Sequence, residues 1–111
     1  MRIHGFWLVR ETAELHQGEV VMLHDTREVG FTLCRANGGK LVTGPPAIGT
    51  HNRVNIPLQC PPGSRFEGFF HSHPNGSTAP SAMDIKSARQ HNADVTCIQN
   101  ERGIRCYRLR R

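Results

Sequence analysis

The 111-residue chain contains no run of 18 apolar residues, so it holds no segment suited to span a membrane as a helix. Aromatic residues are few: one tryptophan, one tyrosine and five phenylalanines. Most sit inside apolar runs, which leaves no visible platform on which nucleobases would stack. Cysteine is limited to Cys34, Cys60, Cys97 and Cys106, and no two have C-x-x-C spacing, so a structural zinc built on cysteine is poorly supported. The first residues, MRIHGFWLVRETAE, carry a short apolar patch and no small-residue cleavage pattern, unlike a secretory signal. These absences set the expectation of a cytoplasmic protein whose four cysteines are reduced thiols. No internal repeat, low-complexity tract or linker divides the chain, so residues 1–111 are read as one domain.

What is present begins with charge. The net charge of +5 is carried almost wholly by arginine and concentrates in RCYRLRR, Arg105 to Arg111. A solvated strand face with a basic end is the first reading, and contact with nucleic acid or with an acidic protein partner is the alternative. Residues from about Gly5 to Leu23 place Leu8, Ala13, Leu15 and Val20 to Leu23 on one broad helical face, with room for a short strand before it. EVGFTLCR, Glu28 to Arg35, alternates like a strand. ANGGK then supplies the Asn-Gly turn signal, and LVTG returns. Ala47 to Leu58 reads as a further extended segment, and QCPPGSR as a loop stiffened by two prolines. FEGFFHSH, Phe66 to His73, has the composition of a buried strand. The loop Pro74 to Pro80 and a helix from Ser81 to Asn92 come next. ADVTCIQN and GIRCYRLR then form a hairpin joined by ERG. The order predicts an α+β, or mixed α/β, domain: one mixed central sheet flanked by helices.

The chemistry concentrates in FFHSHPNGSTAPSAMD, Phe69 to Asp84. Residues i and i+2 of a strand share a face, so His71 and His73 can converge on one point. Neutral imidazole is the commonest nitrogen ligand of zinc. The remaining histidines, His4, His16, His24, His51 and His91, stand alone in the sequence and read as ordinary core or surface residues. Ser81 and Asp84 have the spacing of an N-cap and its N3 acid, which satisfies free backbone donors at a helix start. Helical side chains lean toward the helix N-terminus, so the same cap aims Asp84 back at the histidines. Two imidazoles and a carboxylate make three ligands and leave a fourth position for water, the pattern of a catalytic zinc. A hydrolytic water needs a general base. Glu11, Glu14 and Glu19 lie on the expected first helix and Glu101 in the terminal turn. Glu67 shares the histidine face of an ideal strand, but roughly 13 Å from the nearer histidine. Glu28 opens a strand at a rim where sites form. Spacing favours Glu28 without deciding the matter.

His71-Ser72-His73-Pro74, followed by Ser81-Ala82-Met83-Asp84, resembles the H-x-H-P-x(6)-S-x-x-D signature of the JAMM/MPN+ metalloproteases, also called the JAB or Mov34/PAD-1 family. REVGFTLC, Arg27 to Cys34, is similar to the family's upstream glutamate segment and selects Glu28. The element order over most of the chain also fits. The resemblance implies a cytidine deaminase-like sheet flanked by helices and one zinc ion held by His71, His73 and Asp84. It further implies Glu28 as general base and Ser81 as stabiliser of the oxyanion. The scissile bond would be an amide or isopeptide at the C-terminal tail of a ubiquitin-like or sulfur-carrier protein, with the tail added beside the sheet as a strand. Short connections make the chain look like a minimal prokaryotic form. The alternatives are a RadC-like protein of the same fold and a zinc-binding scaffold without catalysis.

Overall fold

The structure is a computed structural model that describes residues 2–3, 6–8 and 26–109. Eight strands form one mixed sheet: β1 (Arg2–Ile3), β2 (Phe6–Leu8), β3 (Val29–Ala36), β4 (Leu41–Thr43), β5 (Ala47–Ile48), β6 (Ser64–Ser72), β7 (Val95–Asn100) and β8 (Gly103–Leu109). Their spatial order is β1-β2-β8-β7-β6-β3-β4, with β5 paired to the start of β3. A single helix among the described residues, α1 (Ala82–Gln90), connects β6 to β7. Those two strands run parallel, with Gly68 opposite Val95 and Ser72 opposite Gln99. The α+β class and the mixed sheet expected from the sequence are therefore observed.

β6 lies between β3 and β7 and is buried from Glu67 to Ser72. Phe31, Leu33, Phe70, Val95, Cys97, Ile104 and Cys106 pack together in one core cluster. Phe69, Ala88, Ala93, Ile98, Tyr107 and Leu109 form the other, with Ile85 of α1 against it. Register explains the division, because Phe31, Phe70, Cys97 and Cys106 lie in one cross-strand row and Thr32, Phe69, Thr96 and Tyr107 in the next. Gly68 is required by close strand packing, since a Cβ there would collide with the Val95 carbonyl.

Both ends of α1 are set by local chemistry. Ser81 and Asp84 form a reciprocal capping box at its start. At its end Asn92 takes a left-handed φ of 55°, and Ala93 N–H donates to Ala88 O at 2.9 Å while Asn92 N–H donates to Arg89 O at 3.3 Å. That pairing is the Schellman arrangement, with Ala88 and Ala93 meeting in the core.

Three expectations are corrected. Phe6–Leu8, assigned to the first helix, is a strand paired with β8, and residues 9–23 of that prediction lie outside the described residues. The segment Ala47 to Leu58 is strand only at Ala47–Ile48, because a turn closed by Thr50 N–H donating to Arg53 O at 2.7 Å takes it off the ladder. The cysteines are not free thiols: Cys34 is bonded to Cys60 and Cys97 to Cys106. Cys97 and Cys106 face each other in the β7–β8 ladder, and the Cys34–Cys60 bridge closes a loop over β4 and β5. Among the described residues no helix is long and apolar enough to cross a membrane. Of the basic tail, Arg105 and Arg108 belong to β8, and residues 110–111 lie outside the described residues.

Candidate metal centre

The centre forms at the C-terminal end of β6, where the chain leaves the sheet toward α1, the place where open α/β sheets bind ligands. The β3–β6 ladder ends at the pair Gly30 and His71. One residue further, Ser72 turns its hydroxyl to β3 and accepts from Val29 N–H at 2.8 Å. His73 then donates its backbone N–H to Gln99 O at 2.7 Å, which keeps it beside β7. Strand alternation thus places both imidazoles on one face, with ring centres 4.7 Å apart.

The third group arrives through the helix cap. Asp84 Oδ2 accepts from Ser81 N–H at 2.8 Å, and Ser81 Oγ accepts from Asp84 N–H at 3.1 Å. So held, Asp84 Oδ1 lies 3.0 Å from His71 Nε2 and Oδ2 lies 3.1 Å from His73 Nε2. The two Nε2 atoms are 2.9 Å apart. Burial opposes the Asp84 charge, but hydrogen bonds from His71 and His73 hold its carboxyl well below the usual range. Burial also opposes charge on His73, yet bonding to Asp84 and to Ser77 O raises its pKa.

This donor set fits zinc. Ligand atoms around a tetrahedral zinc at 2.0–2.1 Å stand about 3.3 Å from one another. The three separations here approach that value, and the donors are two imidazole nitrogens and a carboxylate. His73 Nδ1 lies 2.8 Å from Ser77 O. A carbonyl only accepts, so Nδ1 carries the proton and Nε2 is left for a cation. His71, His73 and Asp84 are the one group of this kind among the described residues, and it has no fourth protein ligand.

Glu28 sits across the same groove. Its backbone is held by Thr50 O, which accepts its N–H at 2.7 Å, and by Gly49 N–H, which donates to its carbonyl at 2.8 Å. The residue is 9% exposed. Burial raises its carboxyl pKa, partly offset by the positive charge of His71 and His73. The groove has a volume of about 570 Å³ and is lined by Glu28, His71, His73, Ser81 and Asp84. Residues 52–56 and Met83 line it as well.

The other candidate bases are elsewhere. Glu67 is held by Arg35, whose Nε donates to Oε2 at 2.9 Å and whose second nitrogen donates to Oε1 at 3.1 Å. An ideal strand puts Glu67 on the histidine face, but β6 is not ideal: Leu33 opposes Gly68 and Cys34 opposes Phe66, so Glu67 is the extra residue of a β-bulge. The bulge turns it to Arg35. Glu101 accepts from Asn75 N–H and is engaged in the loop after His73. Glu11, Glu14 and Glu19 lie outside the described residues, as do His4, His16 and His24. His51 is exposed, and His91 caps the C-terminus of α1 with its ring against Phe69. Sequence reasoning missed Ser72 as the tie between β6 and β3, and Ser77 O as the partner of His73. The first is legible in principle from its position between two histidines that face the other way.

A family model of prokaryotic homologues of the JAB domain matches residues 7–110. The chain belongs to this family. No curated protein and no solved structure matches it significantly. Within the matched span, His71 and His73 from the end of β6 meet Asp84 from the first turn of α1.

Proposed function

We propose that this JAB-type domain is a zinc-dependent metallopeptidase or isopeptidase. It hydrolyses an amide or isopeptide bond at the C-terminal tail of a ubiquitin-like or sulfur-carrier protein. The observation that carries the reading is the three-ligand set His71, His73 and Asp84 with a buried carboxylate, Glu28, in the same groove. A structural zinc site is closed by four protein ligands, whereas this set stops at three among the described residues.

A zinc ion at such a site supplies Lewis acidity toward the scissile carbonyl and lowers the pKa of a bound water. The protein supplies the rest. Glu28 accepts the proton of the attacking water and returns it to the departing amine, and its raised pKa suits both steps. Ser81 Oγ uses a lone pair on Asp84 N–H, so its own hydrogen is available to an oxyanion. Residues 52–56 form an irregular wall without ladder bonds, where an extended tail can lie beside the sheet.

The test begins with metal analysis of protein purified without chelator, where one zinc per chain is expected. His73→Ala is expected to lose it. Glu28→Gln is expected to keep the zinc and to lose at least about 10²-fold in hydrolysis of a tail-extended ubiquitin-like substrate. Full activity in Glu28→Gln would remove Glu28 from its role, and full zinc in His73→Ala would overturn the ligand set.

A further inference from the structure

The loop after His73 is held from a place that the hydrolytic reading does not use: the β7–β8 turn. Asn100 Nδ2 donates to Gly76 O at 2.8 Å. Glu101 accepts from Asn75 N–H with both carboxylate oxygens, at 3.1 and 3.0 Å. The turn is itself ordered, because Asn100 Oδ1 accepts from Arg102 N–H at 2.8 Å. That second bond also fixes which end of the Asn100 amide faces the loop.

The loop so gripped carries the partner of a metal ligand. Gly76 N–H donates to His73 O at 2.9 Å, and Ser77 O stands 2.8 Å from His73 Nδ1. The geometry is tight. Asn75 has a left-handed φ of 58°, and a Cβ on Gly76 would stand 3.1 Å from His73 Cβ. Asn75, through its N–H, and Gly76, through its carbonyl, are therefore pinned two residues and one residue before the carbonyl that orients the imidazole.

We infer that Asn100 and Glu101 are positioning residues for the metal centre. They hold the 74–77 loop so that Ser77 O keeps the His73 proton on Nδ1 and leaves Nε2 directed at His71 and Asp84. Groups that fix a ligand imidazole typically change metal affinity by 10- to 100-fold when removed, and these act one step further out. The inference rests on the zinc reading above.

The experiment measures zinc affinity directly, by competition with a chromophoric chelator, and needs no substrate. Asn100→Ala combined with Glu101→Ala is expected to bind zinc about tenfold more weakly than the parent. Glu101→Gln keeps a carbonyl acceptor for Asn75 N–H and is expected to stay within about threefold of the parent. Asn100→Asp keeps the acceptor for Arg102 N–H but sets an oxygen against Gly76 O, and is expected to weaken binding. If the double variant does not fold, the contrast between Asn100→Asp and Glu101→Gln decides alone. A change of melting temperature in the metal-free variants without a change in zinc affinity would mark a merely structural turn and overturn the inference. Variants that bind zinc as tightly as a zinc-binding parent would do the same. A parent that binds no zinc would instead overturn the metal reading itself.

Discussion

His71, His73, Asp84 and Glu28 are close enough to set one another's charge, and their pH behaviour follows from that. Asp84 is held low, so its contribution to stability is present above its unfolded value of 3.8 and is lost as pH falls toward its folded value. His73 is held high, so its contribution is complete below its unfolded value of 6.5 and is lost as pH rises through its folded value. Glu28 is raised by burial, so above its unfolded value of 4.5 its ionisation works against the fold. For these three groups the metal-free protein should thus be favoured in the mildly acid window between 3.8 and 6.5 and decline toward alkaline pH. Zinc should reverse the trend, because ligands must shed protons to bind it. Thermal melts in chelator and in zinc should show a zinc-induced rise in Tm that grows between about pH 6 and about pH 8. A constant increment across that range would argue against histidine ligation.

At the scale of elements, β6 carries two distinct devices. Its C-terminal end presents the histidines, and its N-terminal half contains the bulge that removes Glu67 from their face. The Arg35–Glu67 pair is bidentate, with side chains only 5% and 9% exposed. Removing one member of a buried pair strands the other charge, at a cost of about 3–5 kcal/mol. Glu67→Ala should therefore destabilise the domain strongly in denaturant titration while the zinc affinity of the folded fraction is unchanged. Lost zinc binding at constant stability would place Glu67 in the centre after all. Helix α1 shows the opposite economy, since one capping box both starts the helix and aims Asp84. At Ser81 the helix cap and the placement of Asp84 are for that reason a single feature.

For the whole molecule, the cross-links matter most. The Cys34–Cys60 bridge ties β3 to the stretch before β6 across a separation of 26 residues, and Cys97–Cys106 joins the two strands of the terminal hairpin. Chain-entropy arguments assign such bridges about 2–4 kcal/mol each. Unfolded, non-reduced protein should show no reactive thiol, and reduction should expose four and lower the melting temperature. Free thiols in the native oxidised preparation would overturn the pairing. Segment 52–56, which lines the groove, lies between β5 and Cys60, so the first bridge closes the wall of the site from one end.

Local pattern was sufficient for much of this protein. Composition and alternation located β3, β6, β7, β8 and the turns between them, and Ser81 to Asp84 announced a helix start. The two-residue turn at Glu101 and Arg102 sets Asn100 opposite Gly103, which already places Cys97 opposite Cys106. The spacing of His71, His73, Ser81 and Asp84 pointed to the candidate centre because strand and cap geometry are short-range. What depended on pairing between distant segments was decided only in three dimensions. The bulge at Glu67 arises from register against β3, the Cys34–Cys60 bridge from the path of 37–63, and the grip on the 74–77 loop from a turn some 24 to 26 residues later in the chain. Sequence periodicity reports which face a residue takes in an ideal element; it carries no information on where a partner strand forces an extra residue or which remote side chain meets a free backbone group.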